Sequence, residues 1–572
     1  MTTAAGATTT EAQTQRPFAW EKSYPPGVDW GAQIKRGTLI GLLNDAVRRY
    51  EDLPALSYGP VTATYAEFAS LIDSAAAGLH ALGVAPDKPL ALFLPNTMWH
   101  PVLFFAALKL GARVVHISPL DPEREIVHKL KDTGARILAT TDVGAMAGAG
   151  QKLAAGLGAA GLIDTVIIGE DAFWRQGPSA PRTPAGERIV SGAALLDHPA
   201  LPASQFPKVQ PDDVALMQFT GGTTGLSKAA LLTHDNLFSA VEILMAWAAP
   251  QDMIDFGKGK TLCVLPLFHI FALSAVMLSN FAAGQEMVLH PRFDAEAVIT
   301  DIEQRKINFF PGVPTMWIAI ANAPGIEGRD LSSLRRLASG GAACPVEIEQ
   351  RIAKLTGLPL GGGWGMTETA PAGTNVPTYG TMRYGTIGLP LPGIIMDIVA
   401  LDDPRKVLPP GEVGEIRIKG PNVIKGYHNR PEENAKAFVD GYLLTGDMGT
   451  MDADGYFTIV DRKKDMIISG GFNVYPRHIE EAIYEHPAVA EVTVIGVPDG
   501  YRGEAAKAFV ALKPGANEFT LEALREFLAD KVAKYEQPAH LEFRPTLPKT
   551  AVGKLSKKEL VAEEKAKIAQ KG

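Results

Sequence analysis

Met217-Gln-Phe-Thr220-Gly-Gly-Thr-Thr-Gly225-Leu-Ser-Lys228 is the stretch on which the reading of this chain turns. Three glycines (Gly221, Gly222, Gly225), three threonines (Thr220, Thr223, Thr224), one serine and Lys228 fall within nine residues, directly after the apolar run Val214–Met217. The run reads as a buried strand. The glycines let the loop behind it turn several N–H groups one way, with hydroxyls and one ammonium alongside, a composition that suits phosphate oxygens. It is not a Walker A loop, which places Gly and Lys side by side after a four-residue gap. Gly259-Lys260-Thr261 fails that test too, because Ile254 stands where the first Gly belongs. Gly225-Leu-Ser227-Lys-Ala229 is half a hydrolase nucleophile elbow, without the second Gly. Composition alone leaves a phosphate loop and a plain flexible loop equally open.

Outward from the loop, strand and helix alternate. Pro89–Leu94, Ala112–Ile117, Ile137–Thr140 and Thr165–Ile168 read as short buried strands, and Glu67–Leu82 and Trp99–Leu110 as helices. The pattern predicts an α/β fold with layered, largely parallel sheet. Residues 171–210, rich in Pro, Ser and Gly, read as irregular surface chain. The Asp452-Ala-Asp454-Gly455 turn predicts a hairpin. Beyond it, Ile479–Glu485 and Leu521–Lys534 read as helices, and Val492–Val497 and Ala508–Leu512 as strands, which makes a compact α+β unit. The expected domains are a flexible tail (1–20), a large domain (21–460), a joint (461–465) and a small C-terminal domain (466–572).

The chain has 572 residues, a formal charge of -8, 46% apolar residues and two cysteines, Cys263 and Cys344, far apart in sequence. Such a composition excludes a disordered chain, a disulfide scaffold and a general nucleic-acid binder. A reducing cytoplasm is the expected location, and the first residues lack the basic start and apolar core of a secretory leader. Thr261–Gln285 carries no charged residue. Pro266 and His269 interrupt it, so it reads as a strand (Leu262–Leu265), a turn and a buried helix (Ile270–Ala283) rather than a membrane span. The basic end, residues 531–572, reads as a solvated helix, with an anionic substrate or membrane surface as the functional alternative.

Further small-residue and charged motifs follow in order. Gly363-Trp364-Gly365-Met366-Thr367-Glu368-Thr369 delivers a hydroxyl and a carboxylate, hard oxygens that suit Mg²⁺, though a capped helix start would read the same. Ser339-Gly340-Gly341-Ala342-Ala343 is by itself a tight turn, and Asp447 behind Gly446 is by itself a turn residue. Asp461-Arg462-Lys463-Lys464-Asp465 reads unaided as a solvated charge cluster, and Lys554 as a surface charge. His269, inside Pro266-Leu-Phe268-His269-Ile270-Phe271, reads as a wall residue rather than a base.

As an ordered series across about residues 45–560, these motifs resemble those of the adenylate-forming ligases: acyl-CoA synthetases, luciferases and adenylation domains. The bacterial medium- and long-chain fatty acyl-CoA synthetases are the most similar. The resemblance implies a large ATP- and acyl-binding domain and a small mobile one, and a substrate set of ATP, CoA and a carboxylic acid, with Mg²⁺. It implies that Thr220, Gly221, Gly222, Thr223, Thr224, Gly225 and Lys228 meet phosphate, and that Thr220 and Glu368 hold Mg²⁺. Gly341, Ala342, Ala343, Gly363, Trp364, Gly365, Met366 and Ile459 would surround the nucleotide. Thr367 would meet the α-phosphate, Asp447 the ribose, and Arg462 the ribose-phosphate side. Lys554 would be the adenylation lysine and, with Thr367 and Glu368, the catalytic set. Lys464 would be the pivot of the small domain. Gly470, Gly471, Phe472 and Asn473 would line the CoA tunnel, and His269, Ile270, Phe271 and Trp364 the acyl pocket.

The chain departs from the pattern at Gly221 (usually Ser), Ser227 (Pro), Ala229 (Gly), Trp364 (Tyr) and Ala343 (Pro). Ile468, where luciferases carry Lys, argues against light emission, and no carrier segment follows residue 554. A dicarboxylate or aryl acid on the same scaffold is the alternative substrate. A non-catalytic acyl or nucleotide binder, or a hydrolase, would be an alternative of another class. Membrane contact would be peripheral at most, and a homodimer is compatible with the resemblance.

Overall fold

The structure, a computed structural model, describes residues 16–220, 227–342, 344–378, 383–469, 472–550 and 553–569. The α/β expectation holds. Two seven-stranded sheets form the bulk, each parallel except for one antiparallel strand at an edge. The first orders its strands as Leu360–Gly362, Arg336–Ser339, Phe309–Gly312, Lys260–Cys263, Glu286–Leu289, Pro54–Tyr58 and Val61–Thr64. The second runs Ile189–Ser191, Thr165–Gly169, Ile137–Thr141, Leu90–Leu92, Val114–His116, Val214–Thr220 and Lys228–Thr233. The central strands carry few polar residues because helices cover both faces. Local chemistry starts the helices. Thr64 and Glu67 form a capping box at Tyr65–Ala81, and Thr233 and Asn236 another at His234–Ala248.

A smaller antiparallel sheet follows, built on Ile395–Val399, Gly414–Lys419, Tyr442–Met451 and Phe457–Arg462. It contains the predicted hairpin at residues 452–455. Its last strand runs through Asp461 and Arg462, which pair with Met448 and Asp447. A separate sheet then forms around the long hairpin Val489–Asp499 and Gly503–Leu512, with its own apolar clusters.

Several local expectations give way. The chain is packed from Phe18 onward: Trp20 is buried, and its ring stacks on Phe18 at 4.6 Å. The stretch 171–210 contains two short helices, Asp171–Gln176 and Gly192–Leu195, and a sheet strand. The helix expected over 521–534 stops at Phe527. Segment 261–285 is a strand, a turn and a buried helix, whose first part, Phe271–Leu278, is a π-helix. Among the described residues no helix is long and apolar enough to cross a membrane. The basic end is not a free positive face. Lys507, Arg544 and Lys567 interlock with Glu542, Glu563 and Glu564, and Lys549 pairs with Glu491 at 2.6 Å.

Candidate active site

The strand Val214–Thr220 and the strand Lys228–Thr233 are the two arms of a hairpin, with Thr220 directly opposite Lys228. The glycine-rich loop therefore joins two strands rather than a strand and a helix. Gly221, Gly222, Thr223, Thr224 and Gly225 lie outside the described residues, as do Ala343, Gly470 and Gly471. The two ends of the loop, Thr220 and Lys228, face one large cavity of about 2130 Å³. Lys228 lies 3.8 Å above the ring centroid of Tyr427, and its ammonium pairs with Glu433 at 2.8 Å. The Tyr427 hydroxyl donates to Glu368 Oε1 at 2.8 Å. One aromatic residue thus joins the end of the loop to the carboxylate of the second motif. Nothing in the sequence around Tyr427 marks it for this position.

Glu368 sits in the short turn Thr367–Thr369, whose backbone is held by Asn422. Gly365 is required just before it: a Cβ there would fall 1.4 Å from the carbonyl oxygen of Pro371. Glu368 is buried, with Thr367 beside it on the cavity. Among the described residues no group of three or more His, Cys, Asp or Glu gathers to hold a metal ion. A site with one carboxylate and a threonine fits Mg²⁺ brought in on phosphates, since Mg²⁺ keeps most of its shell as water and phosphate oxygen.

Asp447 is buried at the next wall. Its Oδ2 accepts the indole N–H of Trp364 at 2.8 Å, and its Oδ1 pairs with the Arg462 guanidinium at 2.7 Å. Trp364 therefore belongs to the Asp447 wall as well as to the cavity lining. Gly341, Ala342, Gly363, Met366 and Ile459 line the same space. The charge cluster that follows is not simply solvated. Asp461 is buried and accepts the backbone N–H groups of Arg462 and Arg477, and burial raises its pKa. Lys463 pairs with Glu415 at 2.8 Å. Lys464 lines the cavity, and its pKa is lowered, first by desolvation and then by Arg462.

Lys554 reaches into this site from the small domain. Its turn is fixed by a bond from Thr550 N–H to the Lys554 carbonyl at 2.7 Å, and Gly553 takes a positive φ of 81°. Thr315 of the large domain donates its hydroxyl to the Gly553 carbonyl at 3.1 Å, docking the turn. The lysine stem crosses Gly341 so closely that a Cβ there would lie 2.5 Å from Cε. Burial first, then Arg462, pulls the Lys554 pKa down to about 8, while Asp447 opposes.

His269 is half-buried and within electrostatic reach of this lysine. Its pKa is pushed down to about 3 by desolvation, then by Lys554 and His116, so the ring is neutral. Ile270 and Phe271 also line the cavity. Gln218 holds the segment in place, donating to the Phe268 carbonyl at 2.9 Å and bonding His116 Nδ1 at 2.9 Å, a support the motif reading missed. Phe472 and Asn473 are exposed on the strand Phe472–Val474 and do not line the cavity. Phe472 stacks on Tyr535 at 4.6 Å. The structure thus gathers Thr220, Lys228, Gly341, Trp364, Thr367, Glu368, Asp447, Arg462 and Lys554 at one cavity, and leaves Phe472 and Asn473 outside it.

Comparison with known proteins agrees with this geometry. Residues 43–428 match the model of the AMP-binding enzyme family, and residues 478–554 match that of the AMP-binding enzyme C-terminal domain. The chain is 36% identical over 567 residues to a long-chain-fatty-acid–CoA ligase of Bacillus subtilis, covering 96% of this chain and 99% of the relative. It is 37% identical over 525 residues to a feruloyl-CoA synthase of Amycolatopsis, covering 91% and 98%. Among solved structures, ATP-bound MatB from Rhodopseudomonas palustris superposes with a TM-score of 0.81 at 27% identity, covering 93% of this chain and 99% of that one. On the match over both domains and the near full-length likeness to these relatives, the chain belongs to the AMP-binding enzyme family.

Proposed function

We propose that the chain is an AMP-forming acyl-CoA ligase that acts on a fatty acid. A carboxylic acid and ATP give an acyl-adenylate and pyrophosphate; CoA then gives the thioester and AMP. The observation that carries this is the meeting of Lys554 with Asp447, Arg462 and Gly341 on one cavity that Ile270, Phe271 and Ala275 also line. The names of the relatives, ligases that join acids to CoA, support the same reading.

A carboxylate is a poor acyl donor because oxide would have to leave. In the first step a carboxylate oxygen attacks the α-phosphorus and the bond to pyrophosphate breaks. Two anions must first approach, and positive charge at that point lowers the barrier. Lys554 would lie between the carboxylate and the α-phosphate, with Lys228 and the loop from Thr220 on the departing phosphates. Glu368 and Thr220 would hold Mg²⁺, which neutralises phosphate charge. Asp447 would accept the ribose hydroxyls. No side chain need act as a nucleophile. In the second step the CoA thiolate attacks the acyl carbonyl, a C–S bond forms, and the bond to AMP breaks. Phe472 and Asn473 do not line the cavity, so their use in a CoA tunnel would require the small domain to turn, with Lys464 at the joint.

The test is direct. Purified protein with ATP, Mg²⁺, CoA and straight-chain acids of graded length should release AMP and pyrophosphate and form thioester. If AMP fails to appear with every acid offered, the reading is wrong. Cinnamate-type acids belong in the same panel, because one relative carries the name feruloyl-CoA synthase; preference for them would make the substrate aryl.

A further inference from the structure

Among the described residues, one strand that lines the cavity carries an unpaired charge. Gly340, Ala338 and Arg336 alternate along the strand Arg336–Ser339 and its exit, so they share one face. A Cβ on Gly340 would lie 2.8 Å from the Phe271 ring. Phe271 and Ala275 of the π-helix, with Met245 of the helix His234–Ala248, line the cavity as well. Four residues of extended chain from Gly340, about 13 Å along the strand, Arg336 also lines the cavity. Its guanidinium carbon lies 3.8 Å from the ring centroid of Phe309, its register partner on the next strand.

Arg336 has no carboxylate partner and no side-chain hydrogen bond among the described residues. Its neighbour Arg335 is different: it is exposed and pairs with Asp255 at 3.3 Å. Glu349, which also lines the cavity, forms no ion pair with Arg336. Arg336 lines the cavity, and desolvation lowers its pKa to about 10. Five guanidinium donors that lose water and meet no acceptor are costly, and a cation–π contact offsets only part of that cost. A purely apolar acyl tail gains nothing from such a group.

We propose that Arg336 is a specificity residue for the acid substrate, taking an oxygen acceptor, an ω-carboxylate foremost, at the end of the acid remote from the carboxyl that reacts. The inference rests on the acyl-CoA ligase reading and narrows its substrate class. At about 1.3 Å of advance per carbon–carbon bond, the span from Gly340 to Arg336 along the strand matches a chain of about ten carbons. The forked donors would bind a carboxylate in two places, and a terminal hydroxyl in one.

The experiment compares decanoic, 10-hydroxydecanoic and decanedioic acid by kcat/KM for CoA-thioester formation, using the full chain as wild type, Arg336→Leu and Arg336→Lys. The wild type should favour an oxygenated acid by about tenfold or more. Arg336→Leu should lose that preference while keeping or gaining turnover of decanoic acid, and Arg336→Lys should restore part of it. Equal use of the three acids by the wild type, a preference for decanoic acid, or a preference that survives Arg336→Leu overturns the proposal. If Arg336→Leu is inactive toward all three, the wild-type and Arg336→Lys series decide by the same criteria. If no acid yields AMP, the ligase reading fails. Calorimetric binding of decanedioate to the wild type and to Arg336→Leu then reads the arginine separately: equal binding overturns its role, and a loss of about tenfold upholds it.

Discussion

The indole N–H of Trp364 donates to Oδ2 of Asp447 at 2.8 Å, joining two motifs that lie 83 residues apart in the chain. Arg462 holds the other oxygen of the same carboxylate. Asp447 is therefore fixed in one rotamer before any ribose reaches it, which lowers the ordering cost of binding. Trp364→Phe keeps the ring and removes the donor. A hydrogen bond to a charged acceptor is worth about 1.5–3 kcal/mol, and Arg462 retains part of the orientation. The expected result is a KM for ATP raised about tenfold, with kcat within about twofold of wild type. An unchanged KM for ATP would show that Trp364 does not position Asp447.

Lys554, carried by the small domain, lies against Gly341 and near Asp447. Lys554→Ala should reduce adenylate formation by about 10²–10³-fold, the usual cost of losing one charge at the transition state. Thioester formation from supplied acyl-adenylate and CoA should remain within a few-fold of wild type. Equal loss of both half-reactions would refute a role confined to adenylation.

The same lysine sets a pH limit. An ordinary lysine stays charged to above pH 10, whereas burial, then Arg462, brings Lys554 down to about 8. The ammonium form is the useful one, so adenylation at subsaturating substrate should fall as pH rises through about 8. His269 is neutral throughout this range, because its pKa lies near 3. Pyrophosphate release measured between about pH 6.5 and 9.5 should show this alkaline limb, and Lys554→Arg should carry it beyond the range. A flat profile in the wild type would mean that the ammonium is not needed.

The parts of the site that could be read in the sequence are those whose motifs fall in a known order. Thr220 to Lys228 and Thr367-Glu368 are each ambiguous alone, and Lys554 alone reads as a surface charge; their order along the chain, through its resemblance to the adenylate-forming ligases, is what marks them. The alternation of short apolar runs with longer periodic ones likewise gave the α/β layers. What could not be read is set by distant neighbours. Tyr427 is an ordinary loop aromatic until Lys228 and Glu368 are seen on either side of it. Asp461 looks solvated in a run of charges, but Arg477, 16 residues on, caps it in a buried position. Arg336 sits in a basic pair in which one member turns outward to Asp255 and the other lines the cavity. Strand alternation separates the two, but only once the strand boundaries and the cavity are known.

Tyr427 gives Glu368 a defined orientation through a single hydroxyl. Glu368→Ala should raise the Mg²⁺ concentration needed for half-maximal adenylation by about tenfold or more. Tyr427→Phe should produce a smaller shift in the same direction, because the carboxylate remains but is no longer held. Titration of pyrophosphate release against Mg²⁺ at fixed ATP reads both. A Glu368→Ala titration that overlays wild type would remove the carboxylate from metal binding.

The strand Phe457–Arg462 carries the chain to the edge of the large domain, and Ile467 opens the first strand of the small domain's sheet. Lys463 to Met466 is the connection between them. Arg462 is anchored to Asp447, and Lys463 to Glu415, so a rotation of the small domain must be absorbed at Lys464 and the residues just after it. Lys464→Pro fixes φ near −65° and removes one N–H, which stiffens this link without touching the cavity's carboxylates. Adenylation, which in the proposed mechanism uses the docked position of Lys554, should stay within a few-fold of wild type. Thioester formation from supplied acyl-adenylate should fall by about 10²-fold, since it needs the other orientation. Full overall turnover in Lys464→Pro would move the pivot elsewhere. Loss of adenylation together with a lowered melting temperature would indicate damage to the joint rather than a blocked rotation.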